Sequence, residues 1–393
     1  MSELQHVDVL IVGTGPAGSS TALHLLQQEP AWAGRIVMVD KAIHPREKLC
    51  GGGITHLGRN VLSQLGLTLE PRHFDVREAR LVYRDQSYSF YANPAFTIVR
   101  RDEFDHWLVE LCQERGVTVR QGEAVRQIVP HDDYVEVVTD RATFHARTLV
   151  GADGSRSFVR RALKWPDDSR VARLIEVLTP ENGRYLDPLF QERVAVFDFS
   201  HMSNYGVQGY YWDFPSYVQG RPFMNRGLFD SRAQPGRPKA DLKQSLRDSL
   251  VERGHDLADY ELKGHPIRWW DRNGRFSLPR VLLVGDAAGA DPLMGEGISF
   301  ALGYGRVAAV AIADAFARQE FSYATYRDRL LADSLFKQLD RRTRLARLAY
   351  KAYHPAIIRL GWRVARWVVS HTRWGNPDYQ PVEPVQQRVA MGD

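Results

Sequence analysis

Two cysteines among 393 residues, Cys50 and Cys112, are too few for a disulfide framework and suit a reducing compartment. No stretch reaches the roughly 18 uncharged apolar residues that a membrane-spanning helix requires. The opening MSELQHVDVLIVG lacks the charged-then-apolar layout of a secretory leader, so a cytoplasmic location is expected. No Cys/His spacing suggests a zinc site and no nucleic-acid motif is present, which argues against a metal and against nucleic acid as a partner. Internal repeats and low-complexity tracts are missing as well.

What remains is an ordinary globular chain, 44% hydrophobic and 25% charged, long enough for two domains or one large interwoven one. Its net charge of +5 is unevenly placed. Between Ser334 and Trp374 ten Lys or Arg stand against one acid, Asp340, so the rest of the chain is mildly acidic. A basic tail suits an anionic membrane surface, which would make the protein peripheral on the inner face, or an acidic partner protein.

Val7–Val12 is an unbroken β-branched and apolar run, the pattern of a buried parallel strand. Glycines and then good helix formers (Ala17–Gln28) follow, and Arg35–Asp40 (RIVMVD) closes a βαβ unit. Asp102–Arg115 has helical apolar spacing, and three strand-like runs come after it: Val117–Arg120, Tyr134–Thr139 and Phe144–Val150. From about Val171 to Arg268 aromatics alternate with polar residues, as in antiparallel strands packed on one face. A buried strand, Val281–Val284, and a helix-like run, Gly297–Phe316, then return. The expected division is a discontinuous nucleotide-binding domain (1–165 and 270–320), a β-rich substrate domain (166–269) and a helical C-terminal region (321–393). The fold class is α/β, a Rossmann-type domain with an inserted antiparallel sheet.

Gly13-Thr14-Gly15-Pro16-Ala17-Gly18 follows the first strand and opens a helix. Gly13 permits the tight turn, Gly15 lets backbone amides near a pyrophosphate, and Gly18 lets helix and strand pack closely. Ala17 lies in the helix whose N-terminus supplies partial positive charge for the phosphates. Asp40 ends the second strand, where a carboxylate can accept from both ribose hydroxyls and repel a 2′-phosphate. Together these predict an adenine dinucleotide site. No second nicotinamide-type GxGxxG unit occurs, so a pyridine nucleotide would visit only transiently.

Two further segments, Leu149-Val150-Gly151-Ala152-Asp153-Gly154-Ser155 and Val284-Gly285-Asp286-Ala287-Ala288-Gly289, resemble fingerprints of the para-hydroxybenzoate-hydroxylase-like flavoproteins. Pro45-Arg46-Glu47-Lys48-Leu49-Cys50-Gly51-Gly52-Gly53-Ile54 and Pro292-Leu293-Met294-Gly295-Glu296-Gly297-Ile298 resemble the geranylgeranyl reductase family within it. Tyr210-Tyr211-Trp212-Asp213-Phe214-Pro215 matches that family's Y-x-W-x-F-P pattern. The resemblance runs from Val7 to about Gly303. It implies FAD as cofactor and an enzyme that saturates isoprenoid double bonds on lipids, with NADPH, NADH or a ferredoxin-type protein as electron donor. It also implies that Asp286 holds the ribityl hydroxyls, that Arg101 reaches the phosphates or ribityl, and that Lys48, Ala124, Asp153, Gly285, Gly295 and Ile298 border the cofactor. Departures are Ser216, where the family often has lysine, and Arg226, Phe229 and Asp230, which break a small-residue run after Asn225.

On the residues alone, strand alternation sets Tyr210, Trp212 and Phe214 on one face and Tyr211 and Asp213 on the other. The three aromatics form either an apolar wall for an isoprenoid or ring substrate, or plain core packing. Gly51 and Gly53 would let backbone approach an isoalloxazine, with Cys50 beside it either as a site residue or as an inert buried thiol. Asp153 is either a cofactor contact or the residue of a common Asp-Gly turn, and Arg101 is either a ligand or a solvated charge at a helix start. Gly295 and Gly297 open a helix whose N–H groups could face the flavin N1/O2 edge. For proton delivery Cys50, a tyrosine at 210–211, and water near Glu296 all stay open.

In the tail, Ile357, Leu360, Gly361, Val364 and Val368 fall on one side of a helical wheel, and Arg359, Arg363, Arg366 and Arg373 on the other. Trp362, Trp367 and Trp374 flank the boundary. Such a helix either lies in a lipid interface or packs on the body with a solvated basic face. The competing functions are a flavin-dependent reductase of prenyl-lipid double bonds, a single-component aromatic monooxygenase or halogenase on the same fold, and a non-catalytic flavoprotein at a membrane surface.

Overall fold

The β-branched run near the N-terminus forms the buried strand Glu3–Val12, flanked in parallel by Ile36–Asp40 on one side and Ala142–Gly151 on the other. The computed structural model describes residues 3–166, 170–181, 186–351 and 354–371. Around that strand the first sheet runs Ser277–Leu278, Val281–Leu283, Ala142–Gly151, Glu3–Val12, Ile36–Asp40, Thr118–Gln121, with a hairpin of Val125–Pro130 and Val135–Thr139 attached to Ala142–Gly151. Val9, Leu10 and Ile11 are fully buried, as a strand central to a parallel sheet is when both its faces are covered.

Helix Pro16–Gln28 packs against Arg101–Glu114 and against Ile298–Arg318. Its crossing with the latter is close: a methyl group on Gly305 would meet the Thr21 backbone nitrogen at 2.5 Å. Ile298–Arg318 is long and apolar enough to cross a membrane by length and composition, but 72% of its most apolar window is buried inside the protein. It is a core helix.

The second sheet is mostly antiparallel and runs Lys263–Arg268, Val171–Pro180, Arg221–Asp230, Gly209–Val218, Val194–Asp198, His73–Tyr83, Gln86–Val99, Gly53–Ile54. The segment 166–269 supplies the first five of these strands. The last three come from the N-terminal part of the chain, whose alternation between residues 73 and 99 the sequence reading passed over. The sheet therefore reaches from the substrate side back to the glycine segment at 51–53. Alternation along Gly209–Val218 is as expected: Tyr210, Trp212 and Phe214 join one apolar cluster with Phe229, while Tyr211 joins another with Leu246.

Arg226, a departure from the family pattern, points to that second face, where it is 1% exposed. It is satisfied there by Asp213 at 2.9 Å and Asp187 at 2.8 Å, and Asp213 is held again by Arg253 at 2.7 Å. A buried arginine needs such partners, and here they tie the sheet to helix Leu242–Val251. The C-terminal region is helical over Tyr326–Ala332, Ser334–Ala349 and Pro355–His371. The expected positions Arg373 and Trp374 lie outside the described residues.

Candidate functional site

One cavity of about 1270 Å³ opens between the glycine turn of the first sheet and the aromatic face of the second. That exceeds the roughly 300–1,000 Å³ of a single small-molecule pocket, and suits a dinucleotide with a substrate beside it.

At the nucleotide end, Gly13 has φ +104°, and a methyl group there would sit 2.4 Å from the Ala152 carbonyl oxygen. A methyl on Gly18 would sit 2.1 Å from the Gly13 carbonyl oxygen. Both glycines answer to protein packing, and Gly18 does not line the cavity. Gly15 differs: the nearest atom to a methyl built there is 3.5 Å away, on Arg46, so its open side faces the cavity. The Arg46 and Arg101 guanidiniums both bond Asp105, at 3.1 and 2.7 Å, and hang over Gly15 beside the N-terminus of helix Pro16–Gln28. Two guanidiniums against one carboxylate leave net positive charge where an anionic phosphate would lie.

Asp40 Oδ2 accepts from both the backbone N–H and the hydroxyl of Thr14, each at 2.9 Å, while Oδ1 accepts from the Ala42 N–H. This carboxylate clips the glycine turn to the second strand and also lines the cavity, as Ala17 and Ala124 do.

Asp286 lines the cavity and accepts from the Ser155 hydroxyl at 3.2 Å. Gly285 before it does not line the cavity; with φ +60° and Ala17 Cβ 2.7 Å from where its own methyl would be, it is a turn and packing glycine. Asp153 also lines the cavity, and its Oδ2 accepts from the Phe158 and Val159 N–H groups at the start of the short helix that Ser157 caps. Gly295, Gly297 and Ile298 border the cavity where helix Ile298–Arg318 begins.

The glycines after Cys50 line the cavity and also meet the second sheet. A methyl on Gly51 would meet the Phe214 ring at 3.3 Å, and one on Gly52 (φ +79°) would strike the Val99 carbonyl oxygen at 2.1 Å. Gly53 faces Phe96. It is the aromatic sheet that presses on this loop. Behind it stands Glu176, 4% exposed, which accepts the Cys50 N–H at 3.1 Å and whose carboxyl burial pushes up to about 7.

Tyr210, Trp212 and Phe214 line the apolar end. Trp212 Nε1 donates to Asn225 Oδ1 at 2.8 Å, and Asn225 Nδ2 donates to the Cys50 carbonyl at 3.2 Å. Gly227 opposite Trp212 has no room for a methyl, which would lie 2.4 Å from the indole. Phe229, counted as a departure from the family pattern, adds a further ring to the wall. Tyr211 faces away and donates to Asp213, which removes it as a proton source for this cavity.

Sequence reasoning missed Arg46, His265 and Arg342. Arg46 was visible inside the Pro45–Ile54 segment. His265 and Arg342 carried no signal, because only tertiary folding brings them to the cavity. Lys48 donates to His265 Nε2 at 2.5 Å. Arg342 bonds Asp291 at 2.9 Å and Glu296 at 2.5 Å, which keeps the Glu296 carboxyl ionised below its ordinary range despite the burial that opposes this.

The residues present fit FAD: an open glycine cradle under two arginines, a strand-end carboxylate, and a further carboxylate at Asp286. A family model described as an FAD binding domain matches residues 6–316. The chain is 29% identical to a menaquinone reductase of Mycolicibacterium smegmatis, over 77% of this chain and 75% of the relative. It is 27% identical to digeranylgeranylglycerophospholipid reductase 2 of Methanopyrus kandleri, over 82% of this chain and 81% of the relative. Among solved structures, a geranylgeranyl bacteriochlorophyll reductase-like protein of Thermoplasma acidophilum superposes with TM-score 0.71 at 20% identity, covering 88% of this chain and 87% of that one. A halogenase crystallised with phloroglucinol and FAD reaches 0.69 at 17% identity, covering 92% and 80%. With cradle and match in agreement across most of its length, the chain belongs to the FAD-binding-domain family and is an FAD-dependent oxidoreductase.

Proposed function

We propose that the protein reduces carbon–carbon double bonds of a prenyl chain or a similarly apolar lipid. The observation that carries this reading is the aromatic compartment of Tyr210, Trp212, Phe214 and Phe229, continuous with the dinucleotide cradle. The relatives named as reductases of digeranylgeranylglycerophospholipid and of menaquinone support it. Bound FAD, once reduced, supplies a hydride to one alkene carbon.

The chain's own residues hold the alkene and supply the proton. The Trp212–Asn225 and Tyr210–Met294 hydrogen bonds fix two rings of the wall, so an extended chain meets a rigid surface. Tyr210 gives its hydroxyl proton to the Met294 carbonyl at 2.5 Å, and burial pushes that phenol far above its ordinary range. Glu296 is ionised against Arg342. Cys50, half-buried on the cavity wall with its sulfur accepting the Gly52 N–H, is then the side chain that donates the proton, with water near Glu296 as the other source, and Glu176 fixes the backbone that carries Cys50. NADPH, NADH or a ferredoxin-type protein would return electrons to the flavin.

The test is anaerobic mixing of the reduced holoprotein with a prenyl lipid. Flavin reoxidation with a gain of two hydrogens in the lipid is expected. The halogenase that shares the fold favours a second reading, attack on an aromatic ring. Reoxidation that requires oxygen and consumes an aromatic, with the prenyl lipid unchanged, would establish that reading and sink the first.

A further inference from the structure

The C-terminal helix Pro355–His371 carries apolar side chains on two sides. Among its described side chains, Ile358 and Trp362 meet the body, 6% and 9% exposed, and Trp362 packs on Tyr83, Tyr88 and Phe199. A second apolar row faces out. Ile357, Leu360 and Val364 are 59%, 64% and 57% exposed. At 100° per residue they span an arc of roughly 60°, on the side of the helix away from Ile358 and Trp362. Arg359 and Arg363 occupy the arc between the buried side and this row, and both are exposed. Asp85 faces them from the neighbouring hairpin and bonds Arg359 at 3.0 Å.

The preceding helix carries exposed apolar side chains as well. On helix Ser334–Ala349, Leu345 and Leu348 are 52% and 68% exposed, and Leu345 is itself part of the cavity wall. Arg341, Arg344 and Arg347 on that helix are exposed too. Exposed apolar side chains flanked by arginines on two successive helices, next to an apolar cavity, call for a partner that is oily in the middle and negative at the rim.

We infer that this face, Ile357, Leu360 and Val364 with Arg359 and Arg363, docks the protein on an anionic lipid bilayer. The alternative occupant, a second copy, is disfavoured by charge. A two-fold pairing would bring the arginines of both copies along one seam, whereas lipid phosphates oppose them with the right sign. Docked this way, the membrane lies beside Leu345, and the cavity faces the phase in which apolar lipids are dissolved. The inference stands on the exposed row and its charges, independently of the reductase reading.

The test uses full-length, FAD-loaded protein and flotation with saturated-chain vesicles, which offer no double bond to reduce. Phosphatidylcholine vesicles are compared with vesicles containing about one third phosphatidylglycerol, at roughly 0.05 and 0.5 M salt. The wild type is expected to float with the anionic vesicles at low salt and to be released at high salt. Arg359→Gln with Arg363→Gln should lower the partition constant roughly twenty- to thirtyfold, about fivefold per arginine. Ile357→Ser, Leu360→Ser and Val364→Ser together should lower it at least as much, with FAD content and melting temperature unchanged, since these side chains are outside the core. Wild-type protein that stays soluble with anionic vesicles overturns the inference, and so does a triple serine variant that floats as well as wild type. Lipid-free wild type that is dimeric while the serine variant is monomeric assigns the face to a second copy and overturns it as well.

Discussion

Lys48 and His265 meet at the cavity wall, Nζ to Nε2 at 2.5 Å, although 217 residues separate them in sequence. One comes from the loop before the glycine segment, the other from the edge strand Lys263–Arg268. Their contact closes the apolar sheet against the nucleotide cradle. Burial pushes the lysine down to about 8 and the histidine to about 4, the ammonium adding to the histidine's shift and Asp286 opposing the lysine's.

These shifts predict two pH windows of stability for the cofactor-free protein. Between about 8 and 10.5 the unfolded chain holds a proton on Lys48 that the folded protein has lost, so stability should rise with pH there. Between 6.5 and about 4 the unfolded chain protonates His265 first, so stability should fall as the pH drops. Denaturant titrations of Lys48→Met and His265→Gln should each flatten their own window. Parallel curves for wild type and both variants would show that the pair carries no net linkage.

Asp40 has two tasks, clipping Thr14 and facing the cavity. Asp40→Ala should therefore weaken FAD by roughly 10- to 100-fold, as a charge-assisted contact is worth about 1.5–3 kcal/mol. Fluorescence titration of the apoprotein with FAD measures it, and unchanged affinity would remove Asp40 from the site.

Gly227 leaves the space that the Trp212 indole fills. A side chain at 227 would also strike the Ile175 carbonyl oxygen at 2.3 Å, so the cleaner probe is Trp212→Ala, which empties that space at a cost of about 3–5 kcal/mol in stability. Turnover of a long apolar substrate should drop while the FAD spectrum keeps its shape. A variant as active as wild type would return Trp212 to plain core packing.

Arg342 neutralises two buried carboxylates, Asp291 and Glu296, at the loop that precedes helix Ile298–Arg318. Arg342→Met leaves both without their cation and should cost about 3 kcal/mol at neutral pH, less at acid pH, where Asp291, already raised by burial, takes up a proton. Melting curves at neutral and mildly acid pH give the comparison. Equal losses at both would show that packing, not charge, is what Arg342 contributes.

Much of this site was legible because its local rules are strict. Gly13 and Gly18 have no room for a side chain, Asp40 ends a strand whose pattern is plain, and Tyr210, Trp212 and Phe214 alternate as strand residues must. Reasons were less legible than positions. Gly51 and Gly53 were singled out for a flavin, while the contacts of Gly51 with Phe214 and of Gly52 with the Val99 carbonyl depend on strands 209–218 and 86–99, far off in sequence. Arg226 looked like a disruption because its partners Asp187 and Asp213 sit on two other elements, 39 and 13 positions away. His265 and Arg342 could not be found at all, since no spacing rule links His265 to Lys48, 217 positions away, or Arg342 to Asp291, 51 positions away. The tail was half legible: the two-faced helix was evident, but which face meets the body was decided by Ile358 and Trp362.

The strand Glu3–Val12, central to the first sheet, aligns Glu3 with Ala142, and Val281 in turn aligns with Leu149. During synthesis the first strand emerges more than a hundred residues before one of its two neighbours, and the sheet gains its next strand only when residue 281 has left the ribosome. Until residue 151 is made, the β-branched run in that first strand waits with an unpaired edge. Sheets assembled from such distant segments form slowly and leave aggregation-prone intermediates exposed.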